Sequence, residues 1–478
     1  MGKITGFKEF DRKNFNKRPI EERVKDYKEV YVPLNDSNMK EQASRCMECG
    51  TPFCNFGCPL SNVAPDFNDL FYRGQYKKAY ERLARTNDFP EFTGRICPAL
   101  CEAACTLGIN RQAVCIREIE QSIIEKAFKE EFVKKDHPKV RTGKNICIVG
   151  SGPAGLSVAS QLNSVGHQVT VFEKNNKPGG LLRYGIPDFK LEKSIIDRRI
   201  DIMEKQGVRF KTSVEVGKDV LLEEIFEEFH AIVLTGGCAV PRDLKIEGRE
   251  LEGIHFAVDY LSQQNKRVSK EKFQEKEINA KDKNVVVIGG GDTGSDCIGT
   301  AIRQGAKKVH QIEIMPKPSE KRDESSPWPT YPRILKTTTS HEEGGEREWN
   351  VLTKAIKGTN GKVEKLICSK VSWNKDDNGK FIMKEIENSQ FEIKADLILI
   401  AMGFLHPKIH GIINELCLKL DERGNVYTDK NGITSIQGVF CAGDMATGQS
   451  LVVKAIKSGR EVAKTVDEYL MWSTFLKG

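Results

Sequence analysis

Two short glycine-rich segments constrain the fold of this 478-residue chain more than any other feature. The first spans Gly150–Gly155 (GSGPAG) and the second Gly289–Gly294 (GGGDTG). Each follows an apolar strand pattern, at 145–149 and 284–288, and each precedes a helical pattern and then another strand pattern. This order is typical of a parallel, doubly wound sheet. Two such starts, about 140 residues apart, predict two dinucleotide sites.

The first segment has the residue types that a bound pyrophosphate requires. Gly150 permits the tight turn, Gly152 lets the backbone approach the phosphates, and Gly155 lets helix and strand pack closely. The helix N-terminus offers free N–H groups to the phosphates. Glu173 ends the next strand, where it is placed to bond ribose hydroxyls. The predicted contacts at the first site are Gly150, Gly152, Pro153, Ala154, Gly155 and Glu173.

At the second site the acid position is occupied by Glu313. A carboxylate there favours NADH, because it accepts a hydrogen bond from the free 2′-hydroxyl and repels a 2′-phosphate. Lys317, Lys321 and Arg322 follow closely and could instead hold that phosphate, so the sequence leaves the coenzyme preference open. The predicted contacts are Gly289, Gly291, Asp292, Thr293, Gly294 and Glu313.

A third signal lies near the C-terminus, where Gly443-Asp444 follows a strand pattern at 438–441. An aspartate at such a strand end can bond the ribityl or pyrophosphate part of a flavin. A helix beginning near Leu451 could direct its N-terminus at the flavin edge where negative charge develops on reduction. No further complete glycine motif follows. We therefore expect this segment to complete the first sheet, with the second unit inserted into it.

Seven cysteines are concentrated between residues 46 and 105. Four are spaced C-x2-C-x4-C-x3-C and three C-x3-C-x3-C. Thiolates are soft ligands, and short loops let three or four of them converge on one iron–sulfur cubane. Seven is one fewer than two all-cysteine cubanes require, so we expect one ligand of another kind. The cysteines lie between helical patterns at 20–30, 67–83 and 117–133.

Bulk properties argue against several other classes. The 74 basic residues are interleaved with 67 acidic ones, whereas a nucleic-acid-binding surface would be clustered. No apolar run approaches the roughly 18 residues of a membrane helix, and no signal peptide is recognised. Metal-bound thiolates then favour a reducing, cytoplasmic location. No C-x-x-C follows the second glycine motif and no catalytic side-chain constellation stands out, so cofactors are expected to perform the chemistry.

Taken together, these motifs resemble the small (β) subunit of bacterial glutamate synthase nearly end to end. The segment GGLLRYGIPDFKL is the most specific of them. The same module resembles the electron-input half of dihydropyrimidine dehydrogenase. The segments that carry the resemblance are 46–60, 94–105, 150–155, 179–191, 289–294 and 443–460.

The resemblance implies an α+β multidomain fold with an N-terminal α-helical iron–sulfur domain at 1–140. Two Rossmann-like α/β domains follow, the second inserted into the first. The FAD-binding domain would comprise 141–239 and 405–478, and the NAD(P)H-binding domain 240–404. Gly180 and Leu181 would contact the FAD, and Gly403 would lie near the junction of the flavin and nicotinamide rings.

The resemblance also implies how the clusters share their ligands, with a helix carboxylate as the eighth. Cys115 is an alternative to that carboxylate, and a zinc site is disfavoured because closed zinc sites usually come as two even pairs. One cluster would take Cys46, Cys49, Cys54 and Glu120. The other would take Cys58, Cys97, Cys101 and Cys105.

The implied activity is that of a flavin and iron–sulfur oxidoreductase. It takes a hydride from NADPH or NADH onto FAD and passes electrons through two [4Fe–4S] clusters to the glutamate synthase large subunit, which forms glutamate from 2-oxoglutarate and glutamine. One departure concerns the coenzyme, since Ile314 and Met315 stand where some family members carry paired arginines. The alternatives are a stand-alone NAD(P)H:acceptor oxidoreductase that reduces ferredoxin or small acceptors, and a non-enzymatic scaffold.

Overall fold

The N-terminal region of the protein is helical, as predicted. The computed structural model describes residues 2–376 and 381–478. The helix expected over 20–30 is wrong beyond its first turn, because only Ile20–Arg23 is helical and a strand begins at Tyr31, directly after the segment. The pattern at 67–83 is divided at Gly74, whose φ is +71°. The elements are α1 (Gly6–Glu9), β1 (Asn16–Lys17), α2 (Ile20–Arg23), β2 (Tyr31–Val32), α3 (Asp36–Ser44), α4 (Phe53–Gly57), α5 (Ala64–Tyr72), α6 (Tyr76–Ala84), α7 (Pro90–Ile96), α8 (Leu100–Ala103), a 3₁₀ turn (Thr106–Ile109) and α9 (Ile116–Lys129).

A parallel sheet begins directly after this region, where the first glycine motif was found. Three of its short strands, at 145–149, 168–173 and 231–234, are mostly buried, as expected of the centre of a sheet covered by helices on both faces. The elements are β3 (Asn145–Val149), α10 (Pro153–Ser164), β4 (Gln168–Glu173), α11 (Leu181–Tyr184), α12 (Lys193–Lys205), β5 (Arg209–Thr212), α13 (Leu222–Glu228), β6 (Ala231–Leu234) and β7 (Val240–Pro241).

The chain then leaves this sheet and forms a second one of the same kind. The second sheet has the order β11-β10-β9-β16-β8 and is parallel throughout. An antiparallel sheet of β12 to β15 was not predicted. The elements are β8 (Ile254–Phe256), α14 (Ala257–Val268), β9 (Asn284–Ile288), α15 (Asp292–Arg303), β10 (Lys308–Glu313), α16 (Thr339–Glu343), β11 (Glu346–Trp349), β12 (Val351–Thr359), β13 (Lys362–Lys375), β14 (Phe381–Glu385), β15 (Phe391–Lys394) and β16 (Leu397–Ile400).

The C-terminal segment returns to the first sheet, as expected. Its last strand pairs in parallel with β6, Val439 opposite Ile232, which completes the order β18-β6-β3-β4-β5. The predicted fold class is therefore confirmed, with one Rossmann-like unit inserted into another. The elements are β17 (Phe404–His406), α17 (Ile412–Glu415), β18 (Val439–Cys441), α18 (Asp444–Thr447) and α19 (Val452–Met471).

The helical region and the first sheet are joined through buried polar contacts as well as a shared apolar core. Asp88 accepts hydrogen bonds of 2.6 Å from Ser157 Oγ and Gln161 Nε2 of α10, and it pairs with Arg460 of α19. Burial raises the pKa of Asp88, and Arg460 opposes that shift. Removing one partner of such a buried pair typically costs about 3–5 kcal/mol, so these contacts fix the helical region on the sheet. No helix among the described residues is long and apolar enough to cross a membrane.

Candidate functional site

The turn after β3 has the geometry that the first glycine motif predicts. Gly150 has a φ of +105°, and a Cβ on Gly155 would collide with the Gly150 carbonyl oxygen. No described atom lies within 4 Å of a Cβ built on Gly152. Pro153 opens α10, whose N-terminus has no side-chain cap among the described residues. The turn therefore presents unpaired N–H groups to an open face, which fits a bound pyrophosphate.

Two other predicted segments meet this turn. A Cβ on Gly180 would lie 2.8 Å from the Cα of Gly152, and one on Gly443 would lie 2.7 Å from the Cβ of Ala154. Leu181, at the start of α11, is 44% exposed. An exposed leucine beside the open turn offers an apolar contact to a large planar ligand. The structure thus brings together predicted residues that are almost 300 positions apart in the chain.

The two acids predicted at this site differ in their surroundings. Glu173, at the end of β4, is buried and accepts hydrogen bonds from the backbone N–H and hydroxyl of Ser151 and from the backbone and side-chain amides of Asn175. Asp444 accepts a 2.7 Å hydrogen bond from Ser450 Oγ, and burial raises its pKa. Ser450 lies just before Leu451, the N-cap residue of α19. Glu173 therefore lies beside the turn at Ser151, and Asp444 lies beside the start of α19.

The second glycine motif repeats the geometry of the first. Gly289 has a φ of +121°, and a Cβ on Gly294 would collide with the Gly289 carbonyl oxygen. No described atom lies within 4 Å of a Cβ on Gly291, and no side chain among the described residues caps α15, which begins with Asp292 and Thr293. A cavity of about 330 Å³ opens beside Gly291 and is lined by Glu313. This cavity fits a second dinucleotide.

Gly403 follows the end of β16, on the other side of β9 from β10. Its φ is +83°, and the side chain of Gln449 packs against it. Gln449 Oε1 accepts a 2.9 Å hydrogen bond from the N–H of Phe404. Gln449 comes from the segment that completes the first sheet, so it fixes the Gly403 turn between the two Rossmann-like units. The sequence pattern had not indicated this glutamine.

The cations suggested for a coenzyme phosphate do not line the cavity. Arg322 donates 2.8 Å and 3.1 Å hydrogen bonds to the carbonyl oxygens of Ser326 and Ala103. Lys317 Nζ lies 5.5 Å from the centroid of the Trp349 ring. Lys321 is exposed outside the cavity. The cations that do line the cavity come from the segment before α16 and from β11. They are Arg333, Lys336 and Arg347.

Four of the seven clustered cysteines surround one small pocket. Burial, with smaller contributions from Cys46 and Cys105, raises the pKa of Cys54 to about 12. Asn68 also lines the pocket and is wholly buried, and no described residue forms a hydrogen bond of ordinary geometry with its amide. A soft donor set beside an orphaned buried amide fits an iron–sulfur cluster. The cysteines of this first group are Cys46, Cys49, Cys54 and Cys105.

The other three cysteines lie with the predicted carboxylate. Burial, together with the nearby Glu120 carboxylate, raises the pKa of Cys58 to about 12 and that of Cys97 to about 11. Burial and then Glu120 also raise the pKa of Cys101. Glu120 is 5% exposed and accepts a 2.8 Å hydrogen bond from Asn62 Nδ2. The second group is therefore Cys58, Cys97, Cys101 and Glu120.

This grouping differs from the division of the ligands that the resemblance implies. Cys105 lies with the first group and Glu120 with the second, which is the reverse of the expectation. Cys115 lies apart: its thiol faces Gln42 Oε1 at 3.8 Å, and its charged neighbours are glutamates and arginines. Among the described residues, no three metal-binding side chains converge on a single ion. A cubane binds each ligand through a different iron, so it requires wider spacing than zinc does.

The segment 316–336 connects the coenzyme cavity with both cysteine loops. Its Trp328 packs on Phe53, with ring centroids 4.6 Å apart, and Phe53 lines the pocket of the first group. Tyr331 lines the coenzyme cavity and donates a 3.3 Å hydrogen bond from its hydroxyl to the carbonyl oxygen of Pro98. Five prolines between residues 316 and 332 interrupt any helix or central strand there, so the segment is irregular and can follow both surfaces.

Two family models match the chain. The pyridine nucleotide-disulphide oxidoreductase family matches residues 122–224 and 144–459, and the dihydropyrimidine dehydrogenase domain II, 4Fe-4S cluster family matches 23–132. FprA of Mycobacterium tuberculosis in complex with NADPH has a TM-score of 0.55 at 20% identity, over 68% of this chain and 84% of that chain. That likeness concerns the fold of the nucleotide-binding units.

Relatives of known name cover the whole chain. The glutamate synthase [NADPH] small chain of Mycobacterium tuberculosis is 49% identical over 100% of this chain and 98% of its own length. The Bacillus subtilis protein of the same name is 44% identical over 100% of both. Glutamate synthase [NADH] of Schizosaccharomyces pombe is 43% identical over 100% of this chain, which corresponds to 23% of that protein. The resemblance carried by the motifs is confirmed, and the chain belongs to the glutamate synthase small chain family.

Proposed function

We propose that this protein is the electron-input subunit of a glutamate synthase. It takes a hydride from NAD(P)H onto FAD and passes electrons through two [4Fe–4S] clusters to a large subunit, where 2-oxoglutarate and glutamine yield glutamate. One observation carries the proposal: two open dinucleotide turns and two four-ligand groups are joined in a single packed unit. Such a unit connects a two-electron donor to one-electron carriers.

The side chains of this protein bind and position the cofactors and do not themselves take part in the reaction. The bound FAD and clusters supply the conversion of a hydride into single electrons. The N-termini of α10 and α15 hold the two pyrophosphates, with Gly152 and Gly291 leaving room for them. Gln449 fixes the Gly403 turn, where the nicotinamide end of the coenzyme would meet the first sheet. Close stacking of two rings depends on such fixed walls.

The two residue groups are the proposed cluster ligands. Cys46, Cys49, Cys54 and Cys105 would hold one cluster, and Cys58, Cys97, Cys101 and Glu120 the other. Asn62 orients the Glu120 carboxylate, and partners of this kind hold metal ligands in place. Asn68 occupies the corresponding place beside the first group.

The first group is the proposed exit for electrons. Three of its four cysteines are partly exposed and only Cys105 is buried, whereas in the second group Cys58 and Cys101 are buried and only Cys97 is partly exposed. Phe56 beside the first group is 75% exposed. The S. pombe relative carries a similar module within a longer glutamate synthase chain, which supports a large-subunit partner. All fourteen cysteines are free, which supports a cytoplasmic location.

The test is glutamate formation by purified subunits. The chain alone should oxidise NAD(P)H with an artificial electron acceptor and form no glutamate. Addition of a glutamate synthase large subunit should produce glutamate from 2-oxoglutarate and glutamine, in proportion to coenzyme oxidised. Glutamate formation that is unchanged when the chain is omitted would contradict the proposal. Reduction of ferredoxin without any coupling to the large subunit would favour the stand-alone oxidoreductase.

A further inference from the structure

The coenzyme cavity has a cationic wall that the glycine motif does not contain. In a doubly wound sheet the acid after the second strand marks the adenosine ribose, and here that acid is Glu313. Trp349 is the register partner of Glu313 on the next parallel strand, β11. Gly403 lies on the opposite side of β9, toward the nicotinamide end. The wall formed by β11 and the segment before α16 therefore faces the adenosine half of the coenzyme.

The acids of this wall are already engaged by other groups. Glu313 Oε2 accepts a 2.6 Å hydrogen bond from the N–H of Gly290, and its Oε1 accepts a 2.9 Å hydrogen bond from the N–H of Met315. Glu348 is paired with Lys370 and with His310. Each carboxylate oxygen of Glu313 therefore already accepts a backbone hydrogen bond, which partly offsets the negative charge that Glu313 presents to the cavity.

The arginines of the wall have N–H groups that form no hydrogen bond with any described residue. Arg333 is exposed in the cavity wall, and its guanidinium has no hydrogen bond, ion pair or ring contact with any described residue. Arg347 donates to the carbonyl oxygen of Lys336 at 2.8 Å and to Thr337 Oγ1 at 3.2 Å, and it lies 5.2 Å from the centroid of the Trp349 ring. A guanidinium has five N–H donors, so each of these arginines can still bind a phosphate.

We propose that Arg333 and Arg347 bind the 2′-phosphate of NADPH, with Lys336 supporting them, so that the chain uses NADPH in preference to NADH. Arginine forks match the oxygens of a phosphate in a bidentate way. The inference rests on the proposed function in that a nicotinamide coenzyme enters this cavity. It also replaces Lys317, Lys321 and Arg322 as the candidate phosphate ligands, since they lie outside the cavity wall.

The test uses the holoenzyme and the variant Arg333→Gln, which removes the guanidinium that has no structural partner. Losing one charge-assisted contact should raise the KM for NADPH about tenfold or more and leave the KM for NADH unchanged. The Kd of 2′,5′-ADP should rise by a similar factor, and that of 5′-AMP should stay constant. Lys321→Gln, an exposed cation on the same segment, is the matched control and should change none of these values.

Three results would overturn the inference. The first is equal affinity of the unaltered protein for 2′,5′-ADP and 5′-AMP. The second is an equal loss of affinity for both nucleotides in Arg333→Gln. The third is a loss of affinity for 2′,5′-ADP alone in Lys321→Gln. Failure of the proposed function is distinguishable. If neither coenzyme reduces the protein but Arg333→Gln selectively weakens 2′,5′-ADP binding, the phosphate subsite stands and the electron-input role does not.

Discussion

Gly152→Glu should give a folded chain that purifies without FAD. The φ of Gly152 is −67°, and no described atom lies within 4 Å of a Cβ there, so a side chain fits without strain. Its carboxylate would occupy the open face over the turn, where it excludes and repels a pyrophosphate. Losing two or more charge-assisted hydrogen bonds should weaken FAD binding by more than about 100-fold. Flavin absorbance per chain measures the loss.

Gly291→Glu is the matched control, because it places the same side chain in the equivalent turn of the other unit. Gly291 has a φ of −81° and the same open surroundings. This variant should retain FAD but fail to be reduced by NAD(P)H, while dithionite still reduces it. Normal flavin content in Gly152→Glu, or loss of flavin in Gly291→Glu, would reverse the assignment of the two sites.

The sheets could be predicted because their strands are short, apolar and directly followed by glycine turns. The return of the C-terminal segment could be predicted as well, because a strand pattern at 438–441 has no complete glycine motif after it. The antiparallel sheet of β12 to β15 could not be predicted from the sequence. Its strand β13 runs for fourteen residues with irregular burial, so it lacks the clean alternation that identifies a half-buried strand.

The division of the cysteines could not be predicted from spacing, and the reason lies in two short helices. Cys54 lies in α4 and Cys58 directly follows it, yet the two belong to different groups. Cys101 lies in α8, and Cys105 follows beyond its end in the other group. A Cβ built on Gly57 would lie only 2.6 Å from the Cβ of Ala104, so the two helices lie side by side in close contact. Each helix therefore supplies ligands to both groups, which only the packing determines.

The cationic wall of the coenzyme cavity also could not be predicted from the sequence. Arg333 lies twenty residues after Glu313, separated from it by a proline-rich segment without periodicity. Arg347 comes from a strand that pairs beside β10. The cations directly after the acid do not line the cavity, and Arg322 instead donates a hydrogen bond to the carbonyl oxygen of Ala103 in a cysteine loop.

Cys101→Ala and Glu120→Ala should damage the same cluster, and Cys105→Ala should damage the other. The physical reason is the grouping of Cys58, Cys97, Cys101 and Glu120 around one buried point. Each single variant should lose about half of the iron, that is about four of eight atoms. Iron content and the EPR spectrum of the reduced protein distinguish the two classes of variant.

Double variants make this test sharper, since residues of one site are not additive. Cys101→Ala with Glu120→Ala should lose no more iron than Cys101→Ala alone. Cys101→Ala with Cys105→Ala should lose both clusters. Cys115→Ala is the control and should keep both, because its thiol faces Gln42. The double variant Cys101→Ala with Cys105→Ala could instead remove only one cluster. In that case the division implied by the family resemblance is right, and the residue groups in the structure are not the two ligand sets.

The central claim is that electrons pass from the coenzyme through the flavin to both clusters within this one chain. An anaerobic titration of the purified chain with NADPH, followed by absorbance and EPR, tests it most directly. The account predicts about eight iron atoms for each FAD, bleaching of the flavin band, and reduction of cluster signals without any partner present. Two results would contradict it. One is a flavin that is reduced while both clusters stay oxidised, even with excess coenzyme. The other is a chain that binds no iron.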